Sequence, residues 1–389
     1  MMTTKKKALL LDAGFAALPV LAALTEQDYQ TAVCGSKPQD PGHQFADLSF
    51  DINYADQQQV LELATSLKID ALLPGVTDVS YLTGCQVAHQ LGLPGFDHPD
   101  TAEIIFKKGA FRHWANQHGY PVPQAVSHPN ATDALPLPLM IKPVDAYSGL
   151  GITLVDNRDA ILPAWEQACA ASSDGEAVIE TWIEGSLHSH SAFIRNGKIA
   201  AEYFVDEFCT VYPWQVNSSS LSTALDESLK NQVSDCLQAL VNDLQLCDGL
   251  LHTQFIRGRN GFWLIELTRR CPGDLYSRLI ELSTATPYAL WFAQPFIGQR
   301  SDIHDKRPAH QRLIARHTLS VSRRTPFSCF SYGALPARIV ATVPLKKPGE
   351  MLECAPRDRA GIIFAEFDQL TELAACTPQL KTYFTLGQG

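Results

Sequence analysis

Short apolar runs alternate with amphipathic segments along the first hundred residues of the chain. The runs Ala8–Leu11, Thr31–Cys34 and Ala71–Pro74 predict buried strands. Two further segments have apolar residues at helical spacing and predict helices, Gln57–Leu67 and Val79–Leu91. This alternation is typical of a parallel sheet covered by helices on both faces. We therefore predict a Rossmann-like domain over residues 1–100.

The first turn of this domain reads Asp-Ala-Gly-Phe-Ala-Ala from Asp12 to Ala17, and a helix is expected from about Leu18. The turn lacks the three spaced glycines of a dinucleotide fingerprint. We therefore expect a scaffold that binds no dinucleotide of its own.

Residues 101–125 are predicted to form a helix that ends at the turn His118–Pro121. Lys108 and Arg112 lie four positions apart and share one face of it, which on a surface helix is usually solvated. The next strand, Leu139–Pro143, contains Lys142. A lysine in an apolar strand is costly to bury without an anionic partner, so Lys142 predicts an anion nearby.

A glycine-rich loop from Asp145 to Gly151 follows this strand. Its residues Ser148, Gly149 and Gly151 would let backbone N–H groups crowd around phosphate oxygens, because glycine adopts the dihedral angles that such a turn needs. The lysine three residues before the loop adds to the case for a phosphate site.

The segment Ala177–Gly185 predicts a strand that runs into a short linker, with Glu180 and Glu184 four positions apart. Such a linker can hold a purine through backbone groups while a carboxylate accepts from the exocyclic amine or the ribose. The alternative is that Glu180 and Glu184 simply face solvent at the end of a strand. The segment taken alone favours this alternative.

Two strand-like segments, Leu250–Arg257 and Phe262–Thr268, predict a β-hairpin. A three-residue loop with left-handed Gly261 would place Gln254 directly opposite Glu266, whereas a two-residue loop would turn Gln254 to the other face. We predict the three-residue loop and hence a small cluster of oxygen ligands on one face.

The hairpin ends in a basic pair, Arg269 and Arg270, shortly after the carboxylate of Glu266. A carboxylate suits a hard cation, and guanidinium groups match phosphate or carboxylate oxygens. An edge strand with a solvated charged turn is the alternative. Adjacent side chains on an extended segment point to opposite sides, so parity places Arg270 on the Glu266 face.

Composition and charge exclude two classes of partner. The chain has 389 residues, of which 46% are hydrophobic, and a net charge of -10 argues against a nucleic-acid surface. No run of about 18 apolar residues exists, so no membrane span is expected.

The segment from Lys5 imitates a signal peptide, but Asp12, Gly14 and Pro19 interrupt its apolar run. Ten cysteines without a Cys-x-x-Cys pair fit a reduced compartment, and we expect a cytoplasmic protein.

Four features occur in order along the chain: Lys108, Lys142 with its glycine loop, the linker Glu180–Ile183 and the segment Glu266–Arg270. In that order, after a Rossmann-like domain, they resemble the ATP-grasp superfamily over roughly residues 5–300. The likeness is greatest to the carbamoyl-phosphate-synthetase-like branch, which contains biotin carboxylase, purine-pathway ligases and L-amino-acid ligases.

The resemblance implies an α/β fold with three parts. These are an N-terminal Rossmann-like (pre-ATP-grasp) domain over residues 1–100, a central α+β ATP-grasp domain over 101–300 and a C-terminal subdomain over 301–389. The central part divides into a lid-containing subdomain, 101–183, and a catalytic subdomain, 184–300. The C-terminal part is expected to be small and β-rich, because residues 312–364 read as strands.

The resemblance also implies which residues hold ATP. They are Lys108, Lys142, Ser148, Gly149, Gly151, Glu180, Thr181 and Ile183. Lys108 would contact the α-phosphate and Lys142 the α- and β-phosphates, while the glycine loop closes as a flap over the β/γ end. Glu180 would accept from the adenine amine, and the backbone of Thr181 and Ile183 would read the purine edge.

The remaining implied roles concern the metal and the chemistry. Glu266 would hold Mg²⁺, with Mn²⁺ as an alternative, and Gln254 would be the second protein ligand. Arg270 would stabilise the charge of the transferring phosphoryl group or acyl phosphate, so the implied catalytic residues are Arg270, Lys142 and Glu266.

Three positions depart from the pattern of the superfamily. The first metal position, usually Glu, is Gln254, and a position that is usually Asn is Thr268. The acid usually found after the linker, where ribose would be held, is replaced within Ser186–His188. With one carboxylate fewer, the metal would depend more on the phosphates of ATP.

The resemblance implies an ATP-dependent ligase that couples a small carboxylate, such as an amino acid, to an amine through an acyl phosphate. No Ser/His/Asp triad is expected, since positioning and charge stabilisation carry this chemistry. Its partners would be small molecules and neither nucleic acid nor membrane; a homodimer is left open. Two alternatives remain: a purine-pathway or carboxylase-type enzyme, and a non-catalytic ATP-binding protein.

Overall fold

The computed structural model of the chain describes residues 5–145, 148–300, 303 and 311–387. A four-stranded parallel sheet, in the order β3-β2-β1-β4, forms the N-terminal part. Its strands are β1 (Lys7–Leu11), β2 (Gln30–Cys34), β3 (Leu48–Phe50) and β4 (Ala71–Pro74), and the helices beside it are α1 (Leu18–Glu26), α2 (Gly42–Phe45), α3 (Gln57–Leu67) and α4 (Asp78–Leu91). Apolar side chains from both faces of the strands enter separate cores, as in a parallel sheet covered on both sides. The predicted Rossmann-like alternation is confirmed.

The single helix predicted from residue 101 is wrong. The segment forms two helices, α5 (Pro99–Phe106) and α6 (Lys108–Gln117), which meet at Lys107. Lys107 has an extended backbone, with φ −93° and ψ 110°, so the helical hydrogen bonds stop there and the two helices take separate directions. Because of this break, α6 buries Arg112 on its own inner face beside Phe111.

A small antiparallel sheet follows, in the order β5-β8-β6-β7. Its strands are β5 (Ala125–Val126), β6 (Leu139–Pro143), β7 (Thr153–Val155) and β8 (Ala177–Thr181). Helix α7 (Ile161–Ala171) packs on it through an apolar core of its own. The predicted strand containing Lys142 is confirmed at the predicted bounds.

A large sheet of eight strands, in the order β13-β12-β9-β10-β11-β14-β19-β17, forms the rest of the fold. Its strands are β9 (Ser186–Arg195), β10 (Lys198–Phe208), β11 (Ser218–Leu221), β12 (Gly249–Gly258), β13 (Gly261–Thr268), β14 (Ile314–Leu319), β17 (Arg338–Pro344) and β19 (Gly361–Glu366). The amphipathic helix α8 (Glu227–Asp243) packs on one face, and α9 (Tyr276–Thr284) and α10 (Tyr288–Ala293) cover the other.

The C-terminal segment is rich in strands and shares this sheet, because β14, β17 and β19 continue it. The proposed division at residue 300 therefore separates parts of the chain that are hydrogen-bonded to one another. The remaining elements are β15 (Thr325–Pro326), β16 (Cys329–Tyr332), β18 (Met351–Leu352), α11 (Leu370–Cys376) and β20 (Phe384–Gly387). None of the helices in the described ranges is long and apolar enough to cross a membrane.

Candidate active site

Three buried charged side chains meet beside the small sheet. Lys142 lies in β6 and Glu180 in the neighbouring β8, and the Lys142 Nζ is 2.6 Å from Glu180 Oε2. The Nε of Arg112, from α6, is 3.0 Å from Glu180 Oε1. No side chain of the three is more than 6% exposed. The anionic partner that the sequence predicted for Lys142 is thus present within the protein.

This cluster carries one more positive than negative charge, because two cations share one carboxylate. Burial would raise the pKa of Glu180, but Arg112 and Lys142 hold it below its ordinary value. Burial lowers the pKa of Lys142, and the Glu180 carboxylate offsets only part of that effect. A bound phosphate next to Lys142 would neutralise the remaining charge and favour the protonated amine.

Glu180 has contacts within the protein in addition to the contact with adenine that the resemblance implies. The Glu180 Oε2 accepts from Lys142, whereas Oε1 lies in an ion pair with Arg112 and has no hydrogen-bond partner among the described residues, so Oε1 is the oxygen left for an adenine amine. At the end of β8, the Thr181 N–H donates to the Gln124 carbonyl at 2.9 Å, so other backbone groups of the following linker would have to read a purine edge. Glu180 holds the two cations in place, and its contact with adenine remains a prediction.

The glycine-rich loop has the backbone that its sequence predicted. Ser148, Gly149 and Gly151 all have positive φ, at 55°, 73° and 73°. The loop rests on the segment after β10, where the Tyr212 hydroxyl donates to the Gly149 carbonyl at 3.1 Å. A Cβ on Gly149 would lie 2.3 Å from the Trp214 Cβ, so this close approach needs glycine as well. The preceding residues 146 and 147 of the predicted loop lie outside the described residues.

The β12–β13 hairpin has the predicted pairing of Gln254 with Glu266, but its loop and register differ from the prediction. Its loop has two residues rather than three, because Gly258 pairs with Gly261. A β-bulge then adds Ile265 to β13, which brings Gln254 back opposite Glu266. The predicted pair is confirmed, whereas the predicted loop length is wrong. A turn motif alone did not reveal the bulge.

Gln254 and Glu266 are therefore neighbours on one face, and each has a further polar partner. The Gln254 Nε2 donates to Glu207 Oε2 at 2.6 Å, so its amide oxygen remains the acceptor end. The Lys108 Nζ lies 3.9 Å from Glu266 Oε1, and Glu266 is 38% exposed. Residues from α6 and from the hairpin thus meet at one carboxylate that solvent can reach.

Glu207 is a site residue that sequence reasoning missed. It lies in β10 on the same face as Gln254 and is buried. Burial, together with the nearby carboxylate of Asp274, raises its pKa to about 7 in spite of the hydrogen bonds from Ser189 and Gln254. The sequence did contain a signal for Glu207, because a carboxylate in the apolar run of β10 is as costly to bury as the lysine in β6.

Replacement of Glu207 by Gln is expected to remove a pH dependence of stability. A folded-state pKa of about 7 against an ordinary 4.5 means that the folded protein holds this proton more tightly than the unfolded chain. The stabilising contribution is therefore present below about pH 4.5 and lost as pH rises through about 7, a change of about 3 kcal/mol. Denaturant unfolding at pH 5 and pH 8 measures it.

In that experiment, the wild-type protein should lose stability relative to Glu207→Gln between the two pH values. Glu62→Gln, at an exposed position in α3, is the matched control and should leave the wild-type pH dependence unchanged. A stability difference between wild type and Glu207→Gln that is the same at both pH values would contradict the assignment.

The two arginines after the hairpin have different surroundings. Arg269 is buried; its Nε is 2.7 Å from Asp97 Oδ2, and two of its other nitrogens donate to the carbonyls of Leu250 and Cys247. Arg270 is 16% exposed and pairs with Asp78, the first residue of α4, at 2.8 Å. Burial works against the charged form of Arg270, but Asp78 and then Glu266 raise its pKa overall. Of the two arginines, Arg270 is thus the one whose pKa the charge of Glu266 affects.

A second arginine centre lies farther along the same face. Arg316 in β14 is fully buried, its Nε donates to the Ser219 hydroxyl at 2.9 Å, and its guanidinium contacts the Asp274 carboxylate. Ser219 pairs with both Arg316 and Glu207 across the sheet, so the three side chains form one polar row. The Arg316 Nη2 has no hydrogen-bond partner among the described residues. Sequence reasoning missed this residue, although an arginine inside the apolar run of β14 is the same kind of signal as Lys142.

The protein alone offers few metal ligands here. No group of three or more His, Cys, Asp or Glu side chains arranged to hold a metal occurs in the described part of the chain. Glu266 and the amide oxygen of Gln254 fit a hard cation by type, since both are oxygen donors. One carboxylate and one neutral amide suit a cation that takes most of its ligands from a bound phosphate.

In sequence, the chain resembles a known protein over a short segment. No family model matches the chain. A D-alanine–D-alanine ligase of Chromohalobacter salexigens is 35% identical over 80 residues, which cover 19% of this chain and 25% of that protein. The chain thus matches about a quarter of the length of this curated relative.

Two solved structures match nearly the whole chain. The L-amino acid ligase of Bacillus licheniformis has a TM-score of 0.81 at 15% identity, with 100% of both chains covered. The biotin carboxylase domain of the 2-oxoglutarate carboxylase of Hydrogenobacter thermophilus, solved as a dimer with MgADP, ADP and bicarbonate, has a TM-score of 0.77 at 14% identity. That match covers 99% of this chain and 91% of the other. At these identities the likeness concerns the fold, and it confirms the α/β ATP-grasp fold predicted from the sequence.

Proposed function

Because the chain has the ATP-grasp fold, we propose that it is an ATP-dependent carboxylate–amine ligase. It would transfer the γ-phosphoryl group of ATP to a small carboxylate, such as an amino acid. An amine would then attack the acyl phosphate and release phosphate, which leaves a peptide or amide and ADP.

The observation that carries the proposal is the way α6 joins two charged centres. Its Arg112 belongs to the buried Lys142 cluster and donates to the Ile265 carbonyl in β13 at 2.6 Å. Its Lys108, one turn earlier, lies beside Glu266 in the same strand. A cationic centre and a carboxylate held at a fixed separation suit a polyphosphate with a bound cation.

The nucleotide site would use the residues named from the sequence. Lys142 and Lys108 would bind phosphate oxygens, and the loop of Ser148, Gly149 and Gly151 would supply backbone N–H donors. Glu180, Thr181 and Ile183 would face the purine from the linker side.

The metal would be Mg²⁺, held by Glu266 and Gln254, and it would neutralise phosphate charge during transfer. The hydrogen bond to Glu207 orients the Gln254 amide with its nitrogen toward that carboxylate, which leaves the oxygen for a cation. Glu207 would thereby position a ligand that the neutral side chain could otherwise present in two ways.

The acceptor side of the reaction would lie along the polar row beyond the metal. Arg270 would bind oxygens of the transferring phosphoryl group, because a guanidinium can form two parallel hydrogen bonds to it. Arg316 would bind the carboxylate of a substrate through its unpartnered Nη2. Both groups are held by acidic partners, Asp78 and Asp274, which limit their motion.

Release of ADP in the presence of candidate substrates tests the function. We expect turnover with paired amino acids, detected as ADP and as a peptide by mass spectrometry. Turnover with bicarbonate or with phosphoribosyl compounds would instead support a carboxylase-type or purine-pathway enzyme, and the shared fold of the carboxylase domain is the reason to include bicarbonate. ATP binding without turnover in any mixture would support a non-catalytic protein.

Lys142→Ala is expected to weaken ATP binding about 10- to 100-fold. A hydrogen bond to a charged group contributes about 1.5–3 kcal/mol, and the remaining Glu180–Arg112 pair has no surplus positive charge. Titration calorimetry measures the affinity. Lys198→Ala, at the exposed start of β10, is the matched control and should bind ATP as the wild type does. Unchanged affinity in Lys142→Ala, with a normal circular dichroism spectrum, would show that Lys142 does not hold the nucleotide.

The cysteines support a reducing compartment. All ten lie among the described residues and all are free thiols. Since disulfides form readily in oxidising compartments, the cytoplasm remains the proposed location.

A further inference from the structure

A chain of hydrogen bonds links an exposed serine to a buried carboxylate on the opposite face of the large sheet. The Ser186 Oγ lies 2.7 Å from the His188 Nε2, and the His188 Nδ1 lies 2.9 Å from Asp206 Oδ1. His188 and Asp206 are buried, at 1% and 3% exposure, whereas Ser186 is exposed. No Ser/His/Asp triad was expected for the ligase chemistry, yet these three side chains are joined by hydrogen bonds in the structure.

The strand registers explain why these residues meet. Ser186 and His188 are two residues apart in β9, so their side chains share a face, and Asp206 in β10 pairs directly with His188. This face carries α8, whereas Gln254 and Glu266 lie on the other face with α9 and α10. Although Ser186–His188 follow the proposed purine linker directly, the cluster therefore lies on the sheet face opposite the proposed metal ligands.

The hydrogen bonds determine which nitrogen of His188 carries its proton. Burial would raise the pKa of Asp206, but hydrogen bonds from His188, Ser222 and the Thr223 N–H lower it below its ordinary value. An ionised carboxylate only accepts, so the His188 Nδ1 must donate to it. With Nδ1 as the donor to Asp206, Nε2 can accept, and the Ser186 hydroxyl lies within hydrogen-bond distance to donate to it.

Asp206 is itself held firmly. It accepts from the Thr223 N–H at 2.8 Å and from the Ala224 N–H at 3.2 Å, in addition to His188. The imidazole ring of His188 also stacks on Phe255, with ring centroids 5.5 Å apart. A fixed carboxylate and a fixed ring keep the imidazole in one orientation and tautomer, which a general base requires.

A cation and a cleft lie next to Ser186. Arg257 in β12 pairs with Ser186 across the strands, so the two side chains share a face. Arg257 also lines an open cleft of about 470 Å³ between the β12–β13 hairpin and the start of α8, together with Asp226 and Gln232. A small polar molecule in this cleft would contact Arg257, whose Nη1 donates to the Ala224 carbonyl at 2.7 Å. A guanidinium on the strand beside Ser186 can stabilise a developing oxyanion.

We propose that Ser186 is a catalytic nucleophile toward activated acyl esters, with His188 as its general base and Asp206 as a positioning residue. The Ser186 Oγ attacks the carbonyl carbon and its proton passes to His188 Nε2. The carbon–oxygen bond to the leaving alcohol breaks, and the alcohol takes that proton from His188. Water then attacks the acyl-serine in the same way, which releases the carboxylic acid and restores the serine.

A serine-directed fluorophosphonate tests the nucleophile directly. In this reaction the Ser186 oxygen forms a bond to phosphorus as the phosphorus–fluorine bond breaks, and mass spectrometry of the digested protein locates the label. We expect the label on Ser186. We also expect hydrolysis of p-nitrophenyl acetate, and a loss of about 10²-fold or more in its rate in His188→Gln, because general-base catalysis typically contributes that much.

Ser186→Ala and Ser228→Ala form the matched pair of variants. Ser228 is an exposed serine of the same cleft whose hydroxyl accepts from Gln232. Both positions are exposed, so both variants are expected to fold, which thermal unfolding checks. Labelling and ester hydrolysis should disappear in Ser186→Ala and persist in Ser228→Ala. Equal reactivity of the two variants, or a label elsewhere in the wild type, would overturn the proposal. The assays contain no nucleotide, so their result is independent of the proposed ligase activity.

Discussion

Glu266→Gln is expected to lower ATP-dependent turnover by about 10³-fold or more, even at high Mg²⁺. A metal ion stabilises transition-state charge by several kcal/mol, and each 1.36 kcal/mol corresponds to a factor of ten in rate. Glu266 is the carboxylate that faces Gln254 across the hairpin, and the variant would leave only neutral amide oxygens at this place. Steady-state ADP release, with a Mg²⁺ titration at saturating ATP, measures the loss. Calorimetry of ATP binding with and without Mg²⁺ gives a readout that does not depend on turnover.

Gln254→Glu is the matched variant for this experiment. It is expected to be tolerated or to tighten metal binding, because it restores a carboxylate at the metal position. The new carboxylate would lie where the Gln254 amide is now 2.6 Å from Glu207. The raised pKa of Glu207, about 7, lets the pair share a proton near neutral pH. The metal assignment fails if Glu266→Gln keeps a Mg²⁺-dependent ATP affinity and turnover close to those of the wild type.

Arg270→Lys is expected to lower kcat about 10²- to 10³-fold with little change in ATP affinity. A donor that acts on developing charge typically contributes that much, and a lysine replaces two fixed donors by a point charge. Arg270 lies near Glu266 and is held by Asp78 at 2.8 Å, so its guanidinium is oriented before substrate binds. Measurements of kcat and of ATP affinity on the same preparation separate the two effects.

Arg269→Lys is the neighbouring control, and its effect should be on stability. Arg269 joins Asp97 of the N-terminal part to the carbonyls of Leu250 and Cys247, and its side chain is 2% exposed. Disrupting a buried pair costs about 3–5 kcal/mol, so the variant should unfold at lower denaturant while its folded fraction keeps a nearly normal kcat. Equal losses of kcat in the two variants, or a larger loss in Arg269→Lys, would contradict the assignment of Arg270 to the chemistry.

Local sequence patterns predicted a structural feature correctly where that feature depends on the types of neighbouring residues. Three of the four strands of the N-terminal sheet, β1, β2 and β4, and β6 around Lys142 follow from apolar runs of strand length, because a buried strand needs little besides apolar side chains. The short, partly exposed strand β3 was not predicted. The positive φ angles of Gly149 and Gly151 follow from glycine, which adopts them without steric cost, whereas that of Ser148 does not follow from its residue type. Lys142 alone indicated that an anion lies nearby, because a buried ammonium group needs an anionic partner.

Other features depend on contacts between distant segments. The break at Lys107 and the bulge at Ile265 have no strong signature in the residues around them. Each occurs beside a contact between distant segments: Arg112, in the helix after the break, pairs with Glu180, and the bulge returns Gln254 to the face of Glu266. A motif search that assumes regular geometry misses both.

The sequence by itself determined the alternation of strands and helices in the N-terminal part, because this depends on local periodicity. It also determined the order of the motifs whose resemblance to the ATP-grasp superfamily predicted the fold and the proposed nucleotide and metal residues. Only the tertiary structure decided that Glu207 and Arg316 belong to the same polar row, and that Ser186, His188 and Asp206 form one hydrogen-bonded chain. Those groupings depend on which strands become neighbours and in what register. Strand pairing is a property of the whole sheet, since a shift of one residue turns every side chain to the opposite face.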